Sequence, residues 1–239
     1  TLNISGVAIG FYLSNVIVKP SFAVIFILIA ATLYIYATSL KQMIVLGNVI
    51  VALLLSLSVV IIGVFDLYPV INVGNQLVMS NLFSILLDYA LFAFIINFIR
   101  EIVKDLEDIN GDTKQGMKTL AIVLGVGKTT KLVFALSLLS IIILFVYTKT
   151  YFVFNDLIIA TLYTFFFVLA PLIFFTIKIW SARSKEDFRT LSTLLKWILF
   201  FGILSIVIIS LNIKYNASRQ IKTIQTDPSI RFSQETTIL

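Results

Sequence analysis

The sequence predicts an all-α protein, a polytopic bundle of transmembrane helices. Hydrophobic residues make up 59% of the chain, and the mean hydropathy is +1.05, whereas soluble globular domains are only about 45–50% apolar. The apolar residues also fall into long stretches, and the basic residues are concentrated between alternate stretches. Composition, stretch length and charge distribution together exclude a water-soluble globular domain.

Seven apolar stretches of about 17–25 residues are long enough to cross the hydrocarbon core of a bilayer as helices. We place them approximately at residues 1–17, 20–39, 45–65, 81–100, 129–148, 155–178 and 189–213. Residues 66–80 are predicted to form an outer loop with room for a short interfacial helix. Residues 214–239 have no sustained hydrophobic period, which predicts a disordered tail after a transmembrane domain of residues 1–213.

The basic residues orient these predicted helices. Twelve of the eighteen Lys and Arg residues lie in or beside the loops after the second, fourth and sixth stretches, whereas the loops on the other side hold only Lys19 and Lys149. Because cytoplasmic loops carry an excess of Lys and Arg, we expect the three basic loops to be cytoplasmic. This topology accounts for the formal charge of +6 without a nucleic-acid partner, since no aromatic-basic surface motif is present.

The chain contains neither cysteine nor histidine. Disulfides, thiolate metal sites and the usual general base are therefore missing. Any catalysis must use carboxylates, hydroxyls, amides, Lys or Arg.

The most informative segment follows the fourth stretch. Five of the twelve carboxylates lie within residues 100–112, which we name the acidic segment. On a continuous α-helix one stripe would contain Asn97, Glu101, Lys104, Asp105, Asp108 and Asp112. Carboxylates one turn apart supply the hard oxygen ligands of Mg²⁺, which takes water and substrate phosphate oxygens as its other ligands. The stripe predicts a Mg²⁺-assisted phosphate or diphosphate site at the membrane surface, and a solvated mixed-charge loop is the alternative.

Glycines lie at position 111, near the end of the acidic segment, and after it at positions 116, 125 and 127. We expect them to end the helix and to let the backbone turn back. The segment from Arg100 to Asp112, with Gly116-Met-Lys118-Thr119-Leu120 after it, closely resembles the second aspartate-rich motif of the UbiA superfamily of intramembrane prenyltransferases. A second similarity is Tyr36-Ala-Thr-Ser-Leu-Lys41, followed by Gly47-Asn48. The order and the separation of the two motifs also fit, so the resemblance covers nearly all of residues 1–213.

The resemblance implies a bundle of nine helices around a lateral cavity, where two aspartate-rich motifs bind Mg²⁺ and an isoprenyl diphosphate. The first motif, of the Asn-Asp-x-x-Asp type, has no counterpart in this chain, and residues 1–17 resemble the third helix of the family. Seven stretches and two missing helices make nine. We therefore expect an N-terminally incomplete member of the family.

The resemblance also implies roles for particular residues. The implied metal ligands are Asp108 and Asp112, with Asp105 and Glu101 close by. The residues implied to neutralise the departing diphosphate are Lys41, Arg100 and Lys104, since fixed charges stabilise charge where it develops. The residues expected to contact the substrate are Tyr36, whose ring could shield an allylic cation, Asn97 and Lys118.

Four further candidates are among the polar residues inside the predicted spans. A carboxylate in a span is costly, so Asp88 is a functional candidate. Asn48, Ser56 and Ser58 are predicted to pack helices together or to form hydrogen bonds across them.

The leading hypothesis is Mg²⁺-dependent transfer of an isoprenyl group from its diphosphate to a lipophilic acceptor in the bilayer. The motif is most similar to the branch of geranylgeranylglycerol-phosphate geranylgeranyltransferases, and aromatic quinone or haem precursors are the other acceptors. A membrane transporter is the second hypothesis. It predicts acids distributed through the spans, whereas here they cluster at one end of a span. A non-catalytic membrane protein that uses the acidic segment for ion binding is the third possibility.

Overall fold

The computed structural model of the protein describes residues 2–40 and 43–226, with side chains described as far as residue 219. These residues form helices and short connections, without a strand. The described helices are α1 (Leu2–Val16), α2 (Ala23–Thr38), α3 (Leu46–Ile62), α4 (Gln76–Glu107), α5 (Ile109–Lys114), α6 (Leu120–Leu124), α7 (Val126–Tyr147), α8 (Ile158–Thr164), α9 (Ala170–Ser181) and α10 (Lys185–Thr226). The predicted all-α class is confirmed.

Six helical segments of the described residues are long and apolar enough to cross a membrane. They are Pro20–Thr38, Leu46–Val70, Gln76–Glu107, Val126–Val153, Ile158–Ser181 and Lys185–Arg219. The first predicted stretch forms α1, which has only 15 residues. At 1.5 Å per residue it is about 22 Å long and does not match a hydrocarbon core of about 30 Å. The protein is an integral membrane protein with several spans.

The outer loop is shorter than predicted, because regular structure continues on both sides of it. A π-helical turn (Gly63–Leu67) and a 3₁₀ turn (Tyr68–Val70) extend α3, and α4 begins at Gln76. Asn72 Oδ1 accepts hydrogen bonds from the backbone N–H groups of Gly74, at 2.9 Å, and Asn75, at 3.1 Å. These bonds replace water as the partners of the turn's N–H groups, so a loop of five residues is enough.

The helix α10 continues to Thr226, past residue 213 where the tail was predicted to begin. Neither glycine nor proline interrupts residues 214–226, and Pro228 is the first helix breaker after this segment. Helical conformation therefore includes the first part of the predicted tail. Residues 227–239 lie outside the described part of the chain, where the disordered tail stays a prediction.

The chain divides into two compact units. Unit 1 comprises residues 1–140 and 175–196, and its most extensive packing joins α3 to α4. One face of α4 is fully buried there and carries Ile96, Ile99, Ile102, Val103 and Leu106. Their spacing of three and four residues is that of a helix face directed at a neighbour. This packing fixes the end of α4 that leads into the acidic segment.

Unit 2 comprises residues 141–174 and 197–239. Phe152, Leu157 and Ala160 form its buried core, with Tyr147 and Ile209 packed against them. Asn212 of α10 accepts a hydrogen bond from the backbone N–H of Ala160 at 3.0 Å. Ala160 is in the first turn of α8, where backbone N–H groups have no partner inside the helix, so Asn212 caps this helix from a distant part of the sequence.

Candidate functional site

The last turn of α4 is joined to the first turn of α3 by one hydrogen bond between side chains. Asn48 Nδ2 donates to Asp105 Oδ2 at 2.8 Å, and Asn48 is only 9% exposed. An ionised carboxylate can only accept, so the amide must present its NH₂ group to Asp105. Among the residues that the structure describes, none donates a hydrogen bond to the other oxygen of Asp105. Within the described part of the chain, Asp105 is therefore fixed through one oxygen and open at the other.

Glu101 lies at the centre of an ion triad within α4. Its Oε1 is 3.2 Å from Arg100 Nη1, and its Oε2 is 3.0 Å from Lys104 Nζ. The Glu101 side chain is 10% exposed, whereas the Lys104 side chain is 42% exposed. Both oxygens of Glu101 are thus engaged with cations. The triad holds two cationic groups at one end of α4.

Arg100 retains hydrogen-bonding capacity. Its Nε is buried and has no hydrogen-bond partner within the described residues. A buried donor without a partner costs free energy, and a bound anion would remove this cost. Arg100 therefore keeps one donor available for an anion, and its role toward the diphosphate stays a prediction.

The stripe predicted for one continuous helix is interrupted. The helix α4 ends at Glu107, and Asp108 leaves helical geometry with φ −102° and ψ 11°. Asp112 therefore lies in the separate short helix α5. Its carboxylate is nevertheless within electrostatic range of Asp105. The interruption directs Asp108 elsewhere, because its Oδ1 is 3.6 Å from Lys185 Nζ and both side chains are more than half exposed.

Gly116 reverses the chain after α5. It has φ +68°, in the left-handed region that favours glycine. The N–H of Met117 donates to the carbonyl of Asp112 at 3.0 Å, and the N–H of Gly116 donates to the carbonyl of Thr113 at 3.1 Å. These two bonds define a Schellman motif. Of the four glycines expected to break the helix, Gly116 and Gly125 have a positive φ, whereas Gly111 lies within α5.

The remaining predicted residues occupy different environments. Tyr36 is half-buried at the end of α2, within electrostatic range of Glu101 and Asp105. Asn97 is buried, but its side chain donates to the carbonyl of Ala93 in its own helix at 2.9 Å. Lys118 is exposed in the loop before α6, and Asp88 is exposed on α4. Lys41 lies outside the described residues.

The three polar residues predicted for α3 divide into two groups. Asn48 forms a hydrogen bond across to α4, which was one of the two roles predicted for these residues. Ser56 and Ser58 instead donate to carbonyls of their own helix. The sequence analysis did not connect Asn48 to the acidic segment, although it had placed Gly47-Asn48 in the second motif. It also missed Lys185 as the partner of Asp108. The only sequence signal for Lys185 was its position in a basic loop.

The carboxylates of the site meet part of the requirements of Mg²⁺. In the described part of the chain, no three Asp or Glu side chains converge closely enough to hold a metal on their own. Mg²⁺ commonly binds through one or two carboxylates, with waters and substrate phosphates completing its shell. Asp105, which is open at one oxygen, and its neighbour Asp112 fit this requirement. Glu101 is engaged in ion pairs, and Asp108 faces Lys185, so their predicted metal roles stay predictions.

Comparison with known proteins gives a consistent result. The sequence profile of the UbiA prenyltransferase family matches residues 2–201. A digeranylgeranylglyceryl phosphate synthase of Saccharolobus solfataricus is 30% identical over 214 residues, which is 88% of this chain and 68% of that protein. A protein of the same name from Thermococcus gammatolerans is 40% identical over 119 residues, which is 49% of this chain and 37% of the relative.

The match to a third relative is shorter. A digeranylgeranylglyceryl phosphate synthase of Thermococcus kodakarensis is 43% identical over 94 residues, or 39% of this chain and 29% of that protein. The chain thus spans well under half of the length of these two Thermococcus relatives. No solved structure matches the chain significantly.

Proposed function

The chain belongs to the UbiA prenyltransferase family, and from this premise we propose that it transfers an isoprenyl group from an isoprenyl diphosphate to a lipophilic acceptor in the membrane. The names of the similar proteins favour a glycerol-phosphate acceptor. We take geranylgeranyl diphosphate as the donor and geranylgeranylglyceryl phosphate as the acceptor. We place the acidic segment on the cytoplasmic side, because the basic loops lie at that end of the helices.

In this reaction the C1–O bond of the isoprenyl diphosphate breaks, and its electron pair stays on the departing diphosphate. The free hydroxyl oxygen of the acceptor forms the new bond to C1, and its proton passes to the departing diphosphate. A bound Mg²⁺ would neutralise charge that develops on the diphosphate. Asp105 and Asp112 are the residues that would hold this ion.

Cations of the chain itself contribute to the same stabilisation. Arg100 and Lys104 are held by Glu101 at the end of α4, and Lys104 directly precedes Asp105 on this helix. Fixed donors in a partly buried site stabilise a developing negative charge more effectively than water, because they need no reorganisation. The buried Nε of Arg100 supplies one further donor for a phosphate oxygen.

The observation that carries the proposal is that Asp105, which is within electrostatic range of Asp112, lies at the same end of α4 as two cations, Arg100 and Lys104. This arrangement suits an anion that binds together with a divalent cation. A simple solvated loop does not require the carboxylate of Asp105 to be fixed by a buried amide.

Replacement of these carboxylates tests the proposal. We expect Asp105→Asn and Asp112→Asn each to lower the transfer rate by at least a hundredfold, since loss of one electrostatic group at a reacting centre costs about 10²–10³ in rate. The assay measures transfer of labelled geranylgeranyl to geranylgeranylglyceryl phosphate by the full chain in liposomes, with and without Mg²⁺. Glu107→Gln, in the same turn, is the matched control. Equal rates in all variants, or transfer that persists in EDTA, would refute the site.

A further inference from the structure

We infer that Asn48 is a positioning residue for the metal-binding carboxylate of Asp105, an inference that rests on the proposed function. Its amide fixes one oxygen of Asp105, so that the other oxygen faces the cation in a single orientation. Asn48 itself touches neither metal nor substrate in this assignment.

The geometry of the contact carries the inference. Asn48 and Asp105 are 57 residues apart in sequence, and their 2.8 Å hydrogen bond joins the first turn of α3 to the last turn of α4. Asn48 is buried, whereas Asp105 is partly exposed at the membrane-surface end of its helix. A hydrogen bond to an ionised acceptor is shorter and stronger than one between neutral groups. The buried partner therefore determines the orientation of the exposed one.

The other polar groups of α3 show that this contact is specific. Ser56 is as buried as Asn48, yet its hydroxyl donates to the carbonyl of Leu53 in its own helix at 2.9 Å. A polar residue in α3 can thus be satisfied without reaching across to α4. Asn48 instead directs its NH₂ group at a carboxylate that has one open oxygen. Partners of this kind, which orient metal ligands without touching the metal, change metal affinity by about 10–100-fold when they are removed.

The inference is distinct from a role in packing. A residue that only joins α3 to α4 would affect the stability of the fold and leave the cation affinity of the folded protein unchanged. A residue that orients Asp105 would lower cation affinity while the fold is retained, and excess cation would restore occupancy.

Cation binding by the full chain in nanodiscs separates these two roles. The probe is Mn²⁺ in the presence of inorganic pyrophosphate, measured by electron paramagnetic resonance. We expect Asn48→Leu, which keeps most of the side-chain volume but removes the donor, to weaken Mn²⁺ binding about tenfold. Its binding should still saturate at the wild-type stoichiometry. The matched control Ser56→Ala removes a hydrogen bond from the same helix and should bind Mn²⁺ with wild-type affinity.

Two further variants make the outcome decisive. Asn48→Ser, whose side chain is too short to reach Asp105, replaces Asn48→Leu if the latter does not fold, and the same loss of affinity is expected. Asp105→Asn tests the metal site itself. If Asp105→Asn binds Mn²⁺ like the wild type, the proposed metal site is wrong and the inference fails with it. If Asp105→Asn weakens binding and the folded Asn48 variants do not, the inference about Asn48 alone is overturned.

Discussion

Single residues show where sequence reasoning succeeded and where it could not. The grouping of carboxylates and cations in the acidic segment was visible in the sequence, because all of it is local. The different roles of these side chains were not visible in the sequence. Glu101 and Asp105 are both acids on one predicted stripe, but Glu101 is neutralised by Arg100 and Lys104, whereas Asp105 is fixed by Asn48 from another helix. Side-chain direction and a partner 57 residues away decide these roles, and neither follows from periodicity.

The ion triad makes a prediction at this scale. Glu101→Gln removes a charge that is 90% buried and bonded to two cations. We expect a loss of about 1.5–3 kcal/mol in the free energy of unfolding, the usual value of hydrogen bonds to charged groups, with Lys104 contributing less because it is partly exposed. Denaturant unfolding in mild detergent measures the loss. Glu107→Gln is the control, and equal stability of the two variants would show that the triad does not stabilise the fold.

At the scale of elements, hydropathy predicted the long helices but not their ends. The helix α4 was placed at residues 81–100 and runs from Gln76 to Glu107, because its polar ends extend beyond the apolar stretch. The break at Asp108 was also unexpected, since the stripe continues across it in sequence. The presence of glycines indicated that the chain turns back after the acidic segment, but not which glycine makes the turn. Gly111 and Gly116 were both expected to end a helix, but φ separates them, and it cannot be read from composition.

These two glycines form a matched pair. Neither would bring an added Cβ within 4 Å of another group, so they differ in backbone conformation alone. Gly116→Ala must hold an L-residue at φ +68°, which costs about 1–2 kcal/mol. Gly111→Ala, within α5, should be neutral or stabilising. The thermal unfolding temperature and the affinity for Mn²⁺ in the presence of pyrophosphate should both be lower in Gly116→Ala and unchanged or higher in Gly111→Ala. Equal effects of the two substitutions would contradict the Schellman motif.

At the scale of the whole molecule, the fold class followed from composition because no soluble fold tolerates so many apolar residues. The number of spans was predicted less accurately. Seven apolar stretches were expected to span the membrane, but α1 is apolar and short, and six helical segments in the described part of the chain are long enough. The predicted topology rests on the distribution of Lys and Arg and remains to be measured. The helix α4 can be used for this measurement, because its 32 residues measure about 48 Å and exceed a hydrocarbon core of about 30 Å. We therefore expect its two ends to lie on opposite sides of the membrane.

The absence of cysteine gives a clean background for this measurement. Val73→Cys labels the loop before α4, where the side chain is 99% exposed, and Gln115→Cys labels the exposed turn after α5. In intact cells we expect a membrane-impermeant maleimide to react with Val73→Cys only, whereas Gln115→Cys should react after permeabilisation. The reverse pattern would place the acidic segment outside, and labelling of both in intact cells would contradict the span itself.

The two kinds of contact in the site also differ in when they can arise during biogenesis. Arg100, Glu101 and Lys104 lie within about one helical turn, so their ion pairs can form on the nascent chain as soon as that turn is helical. The bond between Asn48 and Asp105 must wait until α3 and α4 lie side by side in the bilayer. Sequence separation therefore predicts the order of maturation, with the cationic half of the site assembled first and the proposed metal-binding half completed when α3 and α4 pack together.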